Sequence, residues 1–533
     1  MKTNPNRLAL IIALALGVVV QACHQQSGFQ GDKNQAFTAP NELEAVTESI
    51  EEQSTERYNR IVENEFADPT VAPLSTFSID VDAAAYANMR RFLNRSQLPP
   101  EDAIRTEELV NYFQYNYPQP ADHPPFSLVT EMATCPWAPE HKLVHIGLQG
   151  KEIATDNLPA SNLVFLLDVS GSMEDYNKLP LLKQAFSLLV EKLRPEDKVA
   201  IVVYAGAAGL VLPSTSGEEK WRILDALEKL QAGGSTAGSD GIELAYEVAR
   251  KNFIPNGNNR VILATDGDFN VGPSSDGELE RLIEEKRESG VYLTVLGFGM
   301  GNYQDGKMQT LADKGNGNHA YIDNVLEARK VLVNEFGGTL FTIAKDVKIQ
   351  VEFNPAKVKA YRLIGYENRL LNAEDFNDDA KDAGELGSGH TVTALYEIIP
   401  AGSVEEVRDV DPLRYQKPAA TSGSARRSDE LLYVKFRYKA PDQDQSQLIQ
   451  REVSEHHKEL VATSEDFRWS AAVAEFSLLL LNSKFKNQAS YEQVLELAQG
   501  AQGPDSEGYR AEFIGLVKRA RALDNRSLTA KNE

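Results

Sequence analysis

The sequence predicts a multidomain α/β protein: a doubly wound, mostly parallel sheet inserted into a β-sandwich, with a helical C-terminal region. Three observations predict it. Between about residues 160 and 345, apolar runs of strand length alternate with segments of helical spacing, the pattern of a parallel sheet covered on both faces. On each side of that block lie alternating, strand-like segments. Neither set alone has enough strands to cover both faces of a core, so the two sets pair with each other. Beyond residue 461 the apolar spacing is helical.

Residues 1–22 read as a signal peptide. Lys2 and Arg7 make a basic start, and residues 8–20 form an apolar run of 13 residues, too short for a bilayer core of about 30 Å. Residues 23–70 read as a tether rich in Gln, Asn, Glu, Ser and Thr, with a helix expected over 41–66. In 71–158, the first part of the β-rich domain, Phe77, Ile79 and Val81 alternate with Ser78, Asp80 and Asp82, which predicts a strand with both aspartates on a solvated face. Residues 83–93 follow as a helix with Arg90 and Arg91 exposed, 107–112 as a second helix, and 126–133 and 142–148 as strands.

The central domain, 159–345, has strands expected at 163–167, 199–204, 260–264, 291–296 and 319–322. Helices are expected at 179–193, 221–230, 241–248, 277–288 and 307–312, with a long last one over 325–343. Residues 346–460 return to alternation at 347–353, 360–364, 391–398 and 431–438. Asp375, Asn377 and Asp379 superficially match a calcium loop, but Gly at the sixth and Glu at the twelfth position are missing, so a solvated loop is expected. Residues 461–533 make three helices.

Charge limits the function. Lys and Arg number 55 against 78 Asp and Glu, a net charge of −23. Nucleic acid and anionic membrane surfaces both require a basic face, so neither is an expected partner. Two cysteines and eight scattered histidines make neither a disulfide framework nor a thiolate zinc site.

In doubly wound sheets ligands bind at the C-terminal ends of the strands, and three polar features fall there. Asp168-Val-Ser170-Gly-Ser172 follows the first strand, Gly233-Gly-Ser-Thr236 precedes a helix, and Thr265-Asp266-Gly267 follows the third strand. Separately they read as a cap, a flexible loop and a turn. Together they supply two carboxylates and three hydroxyls, hard oxygen donors suited to Mg²⁺, or to Mn²⁺ or Ca²⁺.

This region resembles a von Willebrand factor A domain, and the three features resemble its metal-ion-dependent adhesion site. The resemblance implies a divalent cation held by Asp168, Ser170, Ser172, Thr236 and Asp266. Ser235 competes with Thr236, which counting back from the following helix favours. The resemblance also implies a partner protein that presents an acidic residue to the ion. Glu174 and Asp175, on the same loop, read as solvated charges. Val20-Gln-Ala-Cys23 resembles the lipobox of bacterial lipoproteins, although Gln21 stands where a small residue is usual. It implies lipidation of Cys23, and His24 fits sorting to the outer membrane. The chain from about 56 to 525 is similar to the YfbK-type A-domain lipoproteins. The similarity lies in Pro-Leu-Ser-Thr-Phe-Ser-Ile-Asp-Val-Asp at 73–82, in 105–113, in Cys135-Pro-Trp137 and in 382–396.

The function expected is therefore a lipid-anchored envelope protein that binds a partner through a metal, not an enzyme. An envelope scaffold whose metal only stiffens three loops is the alternative. A metal-assisted hydrolase would need a general base beside the ion, and no histidine lies near the three loops in sequence.

Overall fold

A computed structural model describes residues 55–121, 123–154, 158–234, 238–267, 276–335, 341–381, 383–407, 423, 425, 428–456 and 458–532. Residues 52–533 pack as one compact unit. In chain order the leading part contains β1 (Leu74–Ser78), α1 (Ala84–Asn94), α2 (Thr106–Asn111), β2 (Phe126–Cys135) and β3 (Ala138–Gly150). The central domain contains β4 (Ser161–Asp168), α3 (Leu179–Glu191), β5 (Lys198–Tyr204), β6 (Ala208–Ser216), α4 (Lys220–Glu228), α5 (Gly238–Lys251), β7 (Asn258–Thr265), α6 (Asp276–Arg287), β8 (Tyr292–Phe298), α7 (Asp305–Lys314), β9 (His319–Ile322) and α8 (Val325–Arg329). There follow β10 (Thr342–Phe353), β11 (Val358–Ile364), β12 (Gly384–Gly387), β13 (Thr391–Pro400), β14 (Glu430–Lys439), β15 (Gln447–Ser454), α9 (Glu465–Leu480), α10 (Tyr491–Gly500) and α11 (Tyr509–Asn532).

The central sheet has the order β6-β5-β4-β7-β8-β9, parallel except for the β6 edge. Its middle strand, β4, is buried at every position, which is why its sequence is a continuous apolar run and not an alternating one. Alternation appears in the packing instead. Leu163, Phe165 and Leu167 enter one core with α3, while Val164 and Leu166 enter the opposite core with α5.

The sandwich is built as the edge argument requires. One sheet runs β1-β10-β14-β15, with β12 also on β10, and the other runs β11-β13-β3-β2. Each joins strands from before and after the central domain, and their inner faces share one core that includes Phe77, Val144, Ile349 and Tyr396. A fourth core unites α1 and α2 with Trp137 and the helices α9 to α11.

Four expectations are corrected. The last helix of the central domain does not reach residue 343. Asn324 caps α8 by accepting from the Leu326 and Glu327 amides, a π-turn follows over Lys330–Asn334, and β10 begins at Thr342. Within 41–66, residues 41–54 lie outside those described, and 55–66 form no helix. This stretch is docked, not solvated: Arg57 bridges to Gln304, Ala67 pairs with Tyr361, and Asn64 donates to the Leu363 and Gly365 carbonyls. The third correction concerns Asp80 and Asp82, which face a guanidinium instead of water. Arg369 binds Asp80 and Asp313 at 2.8 Å and Asp82 at 3.1 Å, while the His319 amide donates to Asp82.

The fourth correction is Arg90 and Arg91, which are buried at 1% and 9% exposure. Arg90 binds Asp323, Glu327 at 2.7 Å and Glu512 at 3.0 Å, and so ties α1 to α8 and α11. Tyr112 donates to Glu327 at 2.7 Å. Removing one partner of such a set leaves buried charge uncompensated, which costs about 3–5 kcal/mol. Arg90→Met should lower the unfolding free energy by about that amount in urea titrations. Adding Glu327→Gln should return part of the loss, because it removes one of the stranded carboxylates.

Candidate metal centre

β4 and β7 are hydrogen-bonded parallel neighbours, with Leu167 opposite Ala264. Their C-terminal ends therefore place Asp168 and Asp266 side by side, both at 0% exposure. The loop after β4 folds back on itself. The Ser170 amide donates to Asp168 Oδ1 at 2.9 Å, and the Ser170 and Ser172 hydroxyls stand 3.1 Å apart. Asp168 Oδ2 accepts from Tyr204 at the end of β5 (3.2 Å) and from Thr265 at the end of β7 (3.1 Å). Ser172 hydrogen-bonds the Asp266 carboxylate. Asp168, Ser170, Ser172 and Asp266 thus converge.

Among the described residues, the second loop meets the first through backbone hydrogen bonds. Gly171 donates to the Gly234 carbonyl at 3.1 Å and Gly233 to the Val169 carbonyl at 2.8 Å. Gly234 has φ +84°, a left-handed conformation that favours glycine. Thr236 and its competitor Ser235 lie outside the described residues, and so does Cys23. Glu174 and Asp175 are exposed, at the rim of the same loop.

Electrostatics set the two carboxylates apart. Burial pushes Asp168 up to about 6, and the neighbouring Asp266 charge adds to that, against hydrogen bonds from Ser170 and Thr265. Burial also acts upward on Asp266, but hydrogen bonding from Asn302, the Lys178 ammonium and Ser172 bring it below the usual carboxylate range. Lys178 Nζ lies 3.0 Å from Asp266 Oδ2 and 3.4 Å from Asn302 Oδ1. Asn302 sits in the loop after β8, which the N-terminal segment braces. Glu56 accepts from the Gly301 amide at 2.7 Å and is itself paired with Arg91 at 2.7 Å.

Sequence reasoning missed Lys178 and Asn302. A cation at the start of a helix, where the dipole disfavours it, was the available signal for Lys178. For Asn302 it was the position at the end of the next strand of the same sheet.

The donors fit a hard cation. Oxygens on adjacent vertices of an Mg²⁺ octahedron, about 2.1 Å from the ion, lie about 3.0 Å apart, close to the 3.1 Å between the two serine hydroxyls. Among the described residues no group of three or more His, Cys, Asp or Glu is placed to hold a metal. The set here is instead two carboxylates supplemented by hydroxyls.

A six-stranded, mostly parallel sheet carrying these loops at its C-terminal edge defines a von Willebrand factor type A domain, and the family profile of that description matches residues 162–334. Profiles described as von Willebrand factor and as uncharacterized protein YfbK, C-terminal, match 52–145 and 338–523. The YfbK protein of Escherichia coli strain K12 is 43% identical over 508 residues, covering 94% of this chain and 87% of that one. The chain belongs to the YfbK family of A-domain proteins. Human inter-alpha-trypsin inhibitor heavy chain H4 is 28% identical over 146 residues, 26% of this chain and 16% of that one. Among solved structures, a von Willebrand factor type A protein from Catenulispora acidiphila aligns over 84% of this chain and 89% of its own, at 13% identity and a TM-score of 0.38. The ArnB paralog VWA2 from Sulfolobus acidocaldarius aligns over 75% and 98%, at 14% identity and a TM-score of 0.35.

The raised Asp168 sets a pH dependence. From about pH 4 to pH 6 the folded protein keeps a proton that the unfolded chain has released, so stability falls as pH rises through that window. In chelator at pH 7, Asp168→Asn should therefore be more stable than wild type by about 1–3 kcal/mol. Parallel urea titrations should show the difference shrinking below pH 4.

Proposed function

We propose that this protein is a lipid-anchored envelope protein that binds a partner protein through a divalent cation, Mg²⁺ before Mn²⁺ or Ca²⁺. The convergence of Asp168, Ser170, Ser172 and Asp266 at the edge of the A-domain sheet carries this reading. In it Thr236 completes the protein's donors, and the cation takes its remaining oxygen from an acidic side chain or chain terminus of the partner. Two carboxylates balance the ion, and neutral hydroxyls leave it electrophilic toward one more anion.

The reading is of binding and not of catalysis. Among the described residues, the side chains that hydrogen-bond the two carboxylates are hydroxyls, an amide and an ammonium held in an ion pair. None of these takes a proton from water at neutral pH. Among the described residues no helix is long and apolar enough to cross a membrane. In the proposal the attachment comes from Cys23, whose several acyl chains together anchor stably, and the acidic chain faces the envelope from the outer membrane.

Two experiments test the proposal. Affinity capture from the native envelope in Mg²⁺ should retain a partner that chelator releases and that Asp266→Asn, still folded by circular dichroism, fails to retain. Equal capture in chelator and Mg²⁺ would refute metal-mediated binding. For the anchor, Cys23→Ser should move the protein from the detergent-extracted membrane fraction to the soluble fraction, whereas an unchanged distribution would exclude lipidation there.

A further inference from the structure

We infer that Lys178 is a fixed positive charge in the metal site, one that loosens the hold on the divalent ion and makes the loaded site select an anionic ligand. The inference rests on the metal reading above and adds the sign of charge that the site presents. Lys178 is the N-cap residue of α3, and its side chain is 6% exposed. The ammonium is held between Asp266 Oδ2 at 3.0 Å and Asn302 Oδ1 at 3.4 Å.

The stem is enclosed as firmly as the head. A methyl group on Gly299 would come within 2.5 Å of Lys178 Cε, 2.6 Å of Cγ and 2.9 Å of Cδ. Gly299 is therefore the residue that lets the turn close over the lysine. That turn is braced from outside by the Glu56 contact to the Gly301 amide and by the Thr55 amide, which donates to the Gly301 carbonyl at 2.6 Å. The ammonium and its stem are thus both enclosed while this turn stays closed.

The charge count then decides what the site does. Asp168 and Asp266 contribute −2 and Lys178 +1, leaving −1 for these three buried side chains. A divalent ion brings the sum to +1. Without the lysine the same site would reach zero. An ion within bonding reach of Asp266 is close enough to the ammonium for like-charge repulsion to matter even at protein-like dielectric. Lys178 therefore weakens the metal, and the excess charge on the loaded site favours a carboxylate over a neutral oxygen ligand. Metal and anionic ligand become mutually dependent, because each offsets the charge the other adds.

The test uses the full chain stripped of metal, with Mn²⁺ as probe, read by paramagnetic resonance and calorimetry. Acetate serves as the simplest carboxylate. Lys178→Met keeps the apolar stem over Gly299, and Lys178→Gln is the second variant should the first fail to fold. The expected result is Mn²⁺ affinity about tenfold or more above wild type. Acetate should bind the Mn²⁺-loaded variant about fivefold more weakly than loaded wild type. Mn²⁺ affinity within twofold of wild type, weaker Mn²⁺ binding or unchanged acetate binding would each overturn the inference. Tight Mn²⁺ binding by the variant with none by wild type would support it in its strongest form. If neither protein binds Mn²⁺ and Asp168→Ala behaves identically, the metal reading itself fails and this inference with it.

Discussion

Two carboxylates cannot share a buried strand edge without compensation, and the architecture of this site follows from that constraint. Parallel pairing of β4 with β7 forces Asp168 and Asp266 together where water is excluded. Like charges in such a place raise each other's proton affinity. The protein treats the two groups unequally. Asp266 receives an ammonium and an amide and remains well ionised, whereas Asp168 receives neutral hydroxyls and one backbone amide and is left near 6. The site therefore retains net negative charge among buried hydroxyls and amides. That is a cost in stability which folding alone does not require. Such a cost, at a strand edge where two carboxylates meet two serine hydroxyls 3.1 Å apart, supports reading the edge as functional.

The flanking domains hold the A domain through buried ions and not only through apolar contact. Arg90 spans α1, α8 and α11, Arg105 pairs with Asp305 at the start of α7, and Arg369 gathers Asp80, Asp82 and Asp313. Such sets contribute little net stability, but they are expensive to break singly. They fix register between elements far apart in sequence. The end of the A domain is held in the same way: Glu327 is bound by Arg90 and Tyr112, and the Lys330 ammonium lies 4.2 Å from the Tyr112 ring centroid. A displacement of α8 on metal engagement would have to separate Glu327 from both partners at once. The π-turn that follows, one residue wider than an α-turn, is a local feature found often where helices meet functional constraints.

What the sequence revealed and concealed has one physical explanation. Strands buried on both faces leave unbroken apolar runs, so β4, β5, β7, β8 and β9 were legible, as were the amphipathic helices between them. The first and third polar loops, whose carboxylates the structure brings together, stand out because each places an aspartate just after an unbroken apolar strand. Periodicity separates apolar from polar faces, but it does not say what a polar face meets. Arg90 and Arg91 sit on a polar face that meets carboxylates far off in sequence, Asp82 meets Arg369 across its own β-rich domain, and a solvated face would have the same spacing. The edge strand β6 was missed because only one side of it pairs and its Leu210 and Val211 are exposed. The segment 55–66 reads as tether because it docks by hydrogen bonds, ion pairs and two isolated rings, Tyr58 against Tyr303 and Phe66 against His141 and Phe485, which make no periodic apolar pattern.

Segment 55–66 links the proposed anchor to the proposed metal site. Thr55 and Glu56 bond to Gly301, and Gly301 is followed by Asn302, whose carboxamide reaches both Lys178 and Asp266. The chain that emerges from the proposed anchor is thus part of the frame of the proposed binding site, separated from Asp266 by one loop. A tether joined only to the outside of the sandwich would leave the site indifferent to tension. Here the first described residues brace the turn that closes over Lys178. Because Asn302 and Lys178 together keep Asp266 ionised, any loosening of this turn weakens the electrostatic support of the carboxylate that carries the third loop's contribution. Position along the chain, which the parallel sheet leaves free, has placed the attachment segment where it bears on the site's charge balance.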